Sequence, residues 1–356
     1  ILLKFMNIKI TGSGSIVPHH IQNNLGFLNN SFYDPDGNSI SNPNEEIIDK
    51  FKTITGIKQR RYIKDDQTVV DIAVEASHLA IKDAQLDAEN LNYIIVAHNV
   101  GDIEKNSNQV NTLPSLASKI KAGLRIKNPN CVAYDILFGC PGWVEGVIQA
   151  SAFIKAGMAK KCLVVGADTL SRVLDQTDRD SMIYADGAGA AVIEQVDDQA
   201  GILSHKTVTY TYEGEANFIF YGPSNRNREG TKYIKMQGRK VYEFALSKVP
   251  AAIQNCLEAS GEGIEDVKKI FIHQANLKMD DAIIKRFYRL YKKPMPEDVL
   301  PMNIQEFGNS SVATVPTLFD LIRKDNYGGH KLNKGDLIIF ASVGAGMNIN
   351  AITYRV

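Results

Sequence analysis

The sequence predicts an α/β layered fold assembled from two related halves. Three observations lead there. From residue 68 onward helical and strand periods alternate, the order of elements repeats in the second half, and a Phe-Gly-polar triplet stands at the mouth of a helix once in each half. The 356 residues suffice for a large core, held as two domains or as one domain built from two halves.

Taken in order, residues 22–66 are polar, and "YDPDGNSISNPNEE" reads as loop and turn. "TVVDIAVEASHLAIKDAQL" places Val70, Ile72, Ala73, Leu79, Ala80 and Ala84 at helical spacing. "NYIIVAH" is a short β-rich run of the kind buried in a sheet. The polar stretch "NVGDIEKNSNQVNT", residues 99–112, is longer than a usual connection, and such loops tend to be functional or mobile. "WVEGVIQASAFIKAG" reads as a helix closed by Gly157, followed by the buried strand "KCLVVGAD". In the second half "VYEFALSKVPAAIQNCLEASG" and "VATVPTLFDLIRKD" are helical, while "VKKIFIHQAN" and "DLIIFASVGAG" are strands. "NLNYIIVAHN" aligns in pattern with "DVKKIFIHQA", and "FGCPGWVEGV" with "FGNSSVATVP". The polar, turn-rich "EQVDDQAG" separates a first half, 6–197, from a second, 198–356.

Forty basic and forty acidic residues leave no net charge, so no broad attraction to nucleic acid or anionic membrane is expected, although a local basic docking patch is allowed. No stretch approaches the roughly 20 apolar residues that span a bilayer, and the first residues lack the apolar core of a signal peptide. Cys131, Cys140, Cys162 and Cys256 form no CxxC pair and no zinc-like spacing. Four reduced thiols in a cytoplasmic protein without a metal site are the expectation.

Cys140 follows a glycine and precedes Pro141-Gly142 at the start of the helix "WVEGVIQASAFIKAG". Unpaired N–H groups and the positive end of the helix dipole lower a thiol pKa there, and small neighbours let a substrate carbonyl approach the backbone. The alternative is a small buried hydrophobe. An α/β-hydrolase elbow is excluded, because Phe138 occupies a place that requires glycine. His273 leaves the C-terminal end of a strand in "IFIHQAN", where ligands bind in α/β sheets; a satisfied structural histidine is the alternative. Asn309 in "FGNSSV" serves equally as a helix cap or as a functional amide. If a pseudo-two-fold relates the halves, Cys140 and Asn309 face one centre, and His273 reaches it from the neighbouring strand. The glycine-rich "SVGAGMN" adds N–H groups able to face an oxyanion. A converging cysteine, histidine and amide point to acyl-thioester chemistry. Cys140 is then expected to outrun the other three cysteines in reaction with iodoacetamide.

The run from "CPGWVEGV" to "GAGAAVIE", with "IKMQGRKVYEFA", "IHQANLK" and "FGNSSVATVP" in the same order, resembles the β-ketoacyl-acyl-carrier-protein synthase III family of the thiolase superfamily. The resemblance implies a five-layered αβαβα fold, a homodimer and no cofactor. Cys140 is by that resemblance the acylated nucleophile, with His273 and Asn309 as partners and the backbone N–H groups of Cys140 and Ala345 as oxyanion donors. It implies an acyltransferase that takes an acyl group from acyl-CoA or acyl carrier protein (ACP), then condenses it decarboxylatively with malonyl-ACP. Gly238, Arg239 and Asn276 match the pantetheine tunnel, Arg179 an arginine set against the CoA adenine, and Lys278 a basic ACP-docking position. Leu113 matches a residue reaching into the partner's acyl pocket.

Three departures stand out. Lys50 and Ile54 replace the family's Trp and Arg near "TGI", the closing glycine motif is "GAGMNIN", and the 99–112 loop is long, which places it near the acyl pocket or the dimer interface. They leave the primer donor open between CoA and ACP and imply a different acyl substrate, in fatty-acid or specialised lipid or polyketide biosynthesis. Two other readings remain: a thiolase-fold acyltransferase acting on an O, N or S nucleophile without condensation, and a non-catalytic partner subunit.

Overall fold

The computed structural model describes residues 7–107, 109–198 and 200–356. The first half runs β1 (Asn7–Ile16), β2 (His20–Asn23), α1 (Asn44–Thr55), β3 (Gln59–Tyr62), α2 (Val69–Asp83), β4 (Tyr93–Ala97), α3 (Leu116–Gly123), β5 (Val132–Ile136), α4 (Gly142–Lys155), β6 (Lys161–Thr169) and β7 (Asp186–Val196). The second runs β8 (Gly201–Thr209), β9 (Ile219–Pro223), β10 (Lys232–Met236), α5 (Gly238–Ser260), β11 (Val267–Ile272), α6 (Leu277–Leu290), α7 (Ile304–Phe307), α8 (Thr314–Asp325), β12 (Leu337–Gly344) and β13 (Asn348–Arg355).

Strand order displays the repeat. One sheet is ordered β1-β7-β6-β4-β5 and the other β8-β13-β12-β11. In each, the first strand lies antiparallel to the last, which lies antiparallel to the one before it, and that strand is parallel to its other neighbour. Among the described residues, β5 is the strand without a counterpart.

Three apolar cores define five layers. Ile72, Ala76 and Ala80 of α2 and Ile120 of α3 cover the outer face of the first sheet on Ile94, Val96 and Val165. Trp143 and Val147 of α4, with Leu318 and Phe319 of α8, fill the space between the sheets, meeting Val164 on one side and Phe271 and Phe340 on the other. Val249 and Ile253 of α5, with Ile283 and Phe287 of α6, close the far face on Ile270 and Ile339. The central strands of both sheets are therefore apolar on both faces, which is why they read as continuous runs rather than alternating ones. The buried face of α2 is Val69, Ile72, Ala73, Ala76 and Ala80; Leu79, which shares the helical spacing, is exposed.

The stretch read as loop and turn, 33–46, is irregular up to Pro43, and regular elements flank it within the polar 22–66. α1 occupies Asn44–Thr55, and β2 pairs with β3. Ile47, Ile48, Phe51 and Thr55 form one buried stripe of α1, and Gly56 ends the helix at φ 76°. The buried Arg60 guanidinium ties this unit down. It donates to the Asn24 side chain at 2.7 Å and to the Met182 carbonyl at 3.0 Å, over the Phe27 ring.

Candidate active site

Cys140 lies between β5 and α4, just ahead of the Pro141 N-cap. Gly139 adopts φ 67°, and a Cβ there would stand 2.6 Å from the Ala345 carbonyl oxygen and 2.7 Å from its nitrogen. A Cβ on Gly344 would stand 2.4 Å from the Cys140 nitrogen. Two glycines thus bring the nucleophile turn and the glycine-rich turn after β12 into backbone contact, which places the N–H groups of Cys140 and Ala345 in one small region. Asn348 fastens the two turns together, donating to the Ala345 carbonyl at 2.9 Å and the Phe138 carbonyl at 3.3 Å. Asn350 donates to Glu145 on α4 at 2.8 Å. The "MNIN" that departs from the family's closing motif therefore braces the start of α4.

His273 follows β11, with its N–H on the Ala341 carbonyl at 2.8 Å. Asn309 precedes α8 by several residues, so it is not that helix's N-cap. Its Oδ1 accepts the Ser311 N–H at 2.8 Å, while its backbone exchanges hydrogen bonds with Ile183 and Ala185. Because Oδ1 is engaged, Nδ2 is the end left to donate outward. Ser311 is the meeting point of the three segments. Its hydroxyl donates to Cys140 Sγ at 3.4 Å, its N–H holds Asn309, and its backbone adjoins the His273 ring. Sequence reading passed over Ser311, although it stands two residues after Asn309 in the same motif.

The electrostatics reverse one expectation. Burial pushes the Cys140 thiol up to about 12, against the lowering expected at a helix start; the Ser311 hydroxyl opposes this, and Asp168 adds to it. Desolvation is the largest influence on the sulfur and exceeds the hydrogen bonds that oppose it. Burial also raises the other three thiols. Cys140 is the cysteine that retains some exposure, so access and its hydrogen bond distinguish it, not acidity. The His273 imidazole is pushed down to about 4 by burial, and no carboxylate holds it charged.

That shift predicts a stability profile. The folded pKa of His273 lies below its unfolded value of 6.5, so between them the unfolded chain binds the extra proton. Its contribution is complete above pH 6.5 and is lost as pH falls toward 4, by up to about 3 kcal/mol. Urea titrations of the native chain and His273→Asn from pH 7 to 4.5 should show a shallower pH slope in the variant. Parallel slopes would contradict a neutral buried His273.

A cavity of about 450 Å³ opens among α1, α5 and the start of α6. It gathers Arg179, Gly238, Arg239 and Asn276, as the resemblance implied, together with Lys50 and Ile54. Its apolar walls include Phe51, Met236 and Met279. Its lining stops short of Cys140, His273 and Asn309, ending at Ala275 and at Ile183, whose carbonyl accepts the Asn309 N–H. Asn276 also caps α6, its Oδ1 accepting the Lys278 and Met279 N–H groups. Lys278 is exposed and lies outside the cavity lining, and Leu113 is 89% exposed beyond the long loop. That loop begins inside the site, since Asn99 donates to Ser311 at 2.6 Å, and Lys119 of α3 pins it through Asp102 at 2.9 Å.

Two fused α/β halves with a cysteine, a histidine and an asparagine meeting between them define a thiolase-fold protein. Residues 134–211 match the family model of 3-oxoacyl-(acyl-carrier-protein) synthase III, and residues 257–356 match its C-terminal model. The chain is 30% identical to β-ketoacyl-(acyl-carrier-protein) synthase III of Prochlorococcus marinus, over 98% of this chain and 96% of that one. It is 32% identical to the Acholeplasma laidlawii enzyme of that name, over 99% and 100%. The crystal structure of 3-oxoacyl-(acyl-carrier-protein) synthase III from Aquifex aeolicus superposes with TM-score 0.80 at 28% identity, covering 98% of this chain and all of that one. The chain belongs to the β-ketoacyl-acyl-carrier-protein synthase III family, whose members are condensing enzymes of fatty-acid or related lipid biosynthesis.

Proposed function

We propose that the chain is an acyltransferase of the 3-oxoacyl-ACP synthase III type that acylates Cys140 and then extends the acyl group by decarboxylative condensation. The observation that carries this reading is the convergence of Cys140, Asn309 and His273 around Ser311, beside the paired Cys140 and Ala345 N–H groups. The halves 6–197 and 198–356 divide the labour, the first supplying the nucleophile and the second the histidine and amide.

In the first step Cys140 sulfur attacks the acyl thioester carbonyl, the carrier thiol leaves with the thiol proton, and the oxyanion rests on the two backbone N–H groups. A thiol with a pKa near 12 is not ionised at rest, so its proton departs as the sulfur attacks. In the second step a malonyl thioester loses CO2. The electron pair left behind forms an enolate, whose oxygen receives hydrogen bonds from neutral His273 and Asn309 Nδ2. The enolate carbon attacks the acyl-enzyme, the Cys140 sulfur leaves as a thiolate that takes a proton from water, and a β-ketoacyl thioester departs.

Lys50, Arg179 and Arg239 line the cavity together with Glu46 and Asp180, Arg239 pairs with Glu243 at 2.8 Å, and Lys50 stands where the family sets an aromatic ring against adenine. The missing ring favours a phosphopantetheine arm on acyl carrier protein over CoA as primer donor, with exposed Lys278 and Arg239 meeting the acidic carrier. Exposed Leu113 suits a homodimer in which it reaches the partner's acyl pocket. The test is a panel of acyl-ACP and acyl-CoA donors, read by intact mass for an adduct on Cys140, with malonyl-ACP then added and the product chain identified. Acylation from ACP followed by a two-carbon extension is expected. Acylation without extension would favour transfer to another nucleophile, and no adduct from any donor would overturn the reading.

A further inference from the structure

The hydroxyl of Ser311 is the end of a chain of donors that begins at a buried carboxyl group. Asp168, at the end of β6, accepts the Asn99 backbone N–H on Oδ1 and the Asn99 amide Nδ2 on Oδ2, both at 2.7 Å. With the carboxylate on that side, the Asn99 side chain presents nitrogen rather than oxygen. Its second amide proton goes to Ser311 Oγ at 2.6 Å. Ser311 Oγ thereby receives a hydrogen bond and donates to Cys140 Sγ at 3.4 Å, with the Asp168 carboxyl as the other acceptor within its reach. From the Asn99 amide, one bond runs back to Asp168 and the other forward through Ser311 to the sulfur. Ser311 also sits at φ 54°, a left-handed conformation costly for any residue with a Cβ. Helix packing alone gives no reason to hold a serine there.

We propose that Ser311 is a positioning residue for the nucleophile: it orients the Cys140 sulfur and supplies the hydrogen bond its developing thiolate needs, itself oriented by Asp168 through Asn99. The inference rests on Cys140 being the nucleophile and adds two residues, Ser311 and Asn99, to the machinery. Its physical basis is that a hydroxyl already within hydrogen-bond distance of the sulfur is in place before charge forms. Hydrogen bonds to charged acceptors are roughly twice as strong as neutral ones, so the contact strengthens as the proton leaves. Other ionisable groups face this cluster. Tyr184 stands ahead of β7, Tyr221 comes from β9, and His273 follows β11 against the Ser311 backbone. His98 lies beside Asp168, with its Nε2 on Asp135 at 3.1 Å. Of these, Asp168 acts on the sulfur unfavourably by charge, and the intervening donors offset it.

Site-resolved iodoacetamide alkylation of Cys140 from pH 7 to 10.5, in the native chain, Ser311→Gly, Asn99→Ala and the double variant, tests this without any acyl donor. It therefore stands or falls separately from the identity of the substrate. Glycine accepts the φ of 54° freely, so Ser311→Gly should keep or raise Tm. Its Cys140 alkylation should nonetheless fall about three- to tenfold. A thiolate population reduced by about ten is partly offset by the greater nucleophilicity of a more basic sulfur. Asn99→Ala should give a smaller drop in the same direction, and the double variant should be no slower than Ser311→Gly. A native rate profile in Ser311→Gly would overturn the proposal. So would a loss confined to variants with lowered Tm, or full additivity of the two substitutions.

Discussion

Replacing Cys140 with alanine abolishes the acyl-enzyme and lowers condensation on the order of 10³-fold or more, the scale seen when a nucleophile is removed from a concerted set. No other thiol can substitute. Cys131 lies in the core beneath α2 and α3, Cys162 between the two sheets, and Cys256 in the core beneath α5 and α6, where Ser204 and Thr353 hold its sulfur. Each is sealed within a different layer interface. The half-reaction on the malonyl side has a different requirement. In the proposed mechanism His273 and Asn309 Nδ2 meet the thioester carbonyl without the sulfur, so malonyl-ACP decarboxylation should persist in Cys140→Ala while condensed product disappears. Intact mass and CO2 release measure the two separately. An acyl adduct on the alanine variant, or loss of both half-reactions together with an unchanged Tm, would show that the roles are divided wrongly.

Much of this was legible in the sequence because the responsible physics is local or repeated. Strands buried on both faces produce the continuous runs "YIIVA" and "LIIFASVG", and the repetition of that plan placed Cys140, His273 and Asn309 near one centre. Other features depend on tertiary contact. α1 was hidden behind the turn-rich "YDPDGNSISNPNEE", and its stripe of Ile47, Ile48 and Phe51 is short enough to be masked by the polar residues between. The thiol acidity was misread because the helix start is visible in sequence whereas the desolvation around the sulfur is not. Asn348 and Asn350 looked like a damaged glycine motif until their partners, Phe138 and Glu145, came into place across the molecule. Ser311 and Asn99 are 212 positions apart, and neither carries a signal without the other.

The second large effect separates the two half-reactions from the opposite side. Asn309→Asp preserves shape and keeps Oδ1 available to the Ser311 N–H, so the turn leading into α8 should form normally. What changes is the outward-facing atom. Nδ2, a donor, becomes a carboxylate oxygen, which repels an enolate where the amide stabilised it. Condensation should fall about 10²- to 10³-fold, the range for loss of one oxyanion donor, while the acyl adduct on Cys140 still forms. A carboxyl group in this buried position favours its neutral form, and a protonated acid regains a hydrogen to donate. Activity of Asn309→Asp should therefore recover in part as pH falls. The native chain should stay level over that range until His273 begins to take up its proton near 4. A recovery that follows protonation identifies the missing element as a hydrogen-bond donor rather than a packing contact. A pH-independent loss, or equal loss of acylation and condensation, would instead assign Asn309 a role in shaping the site alone.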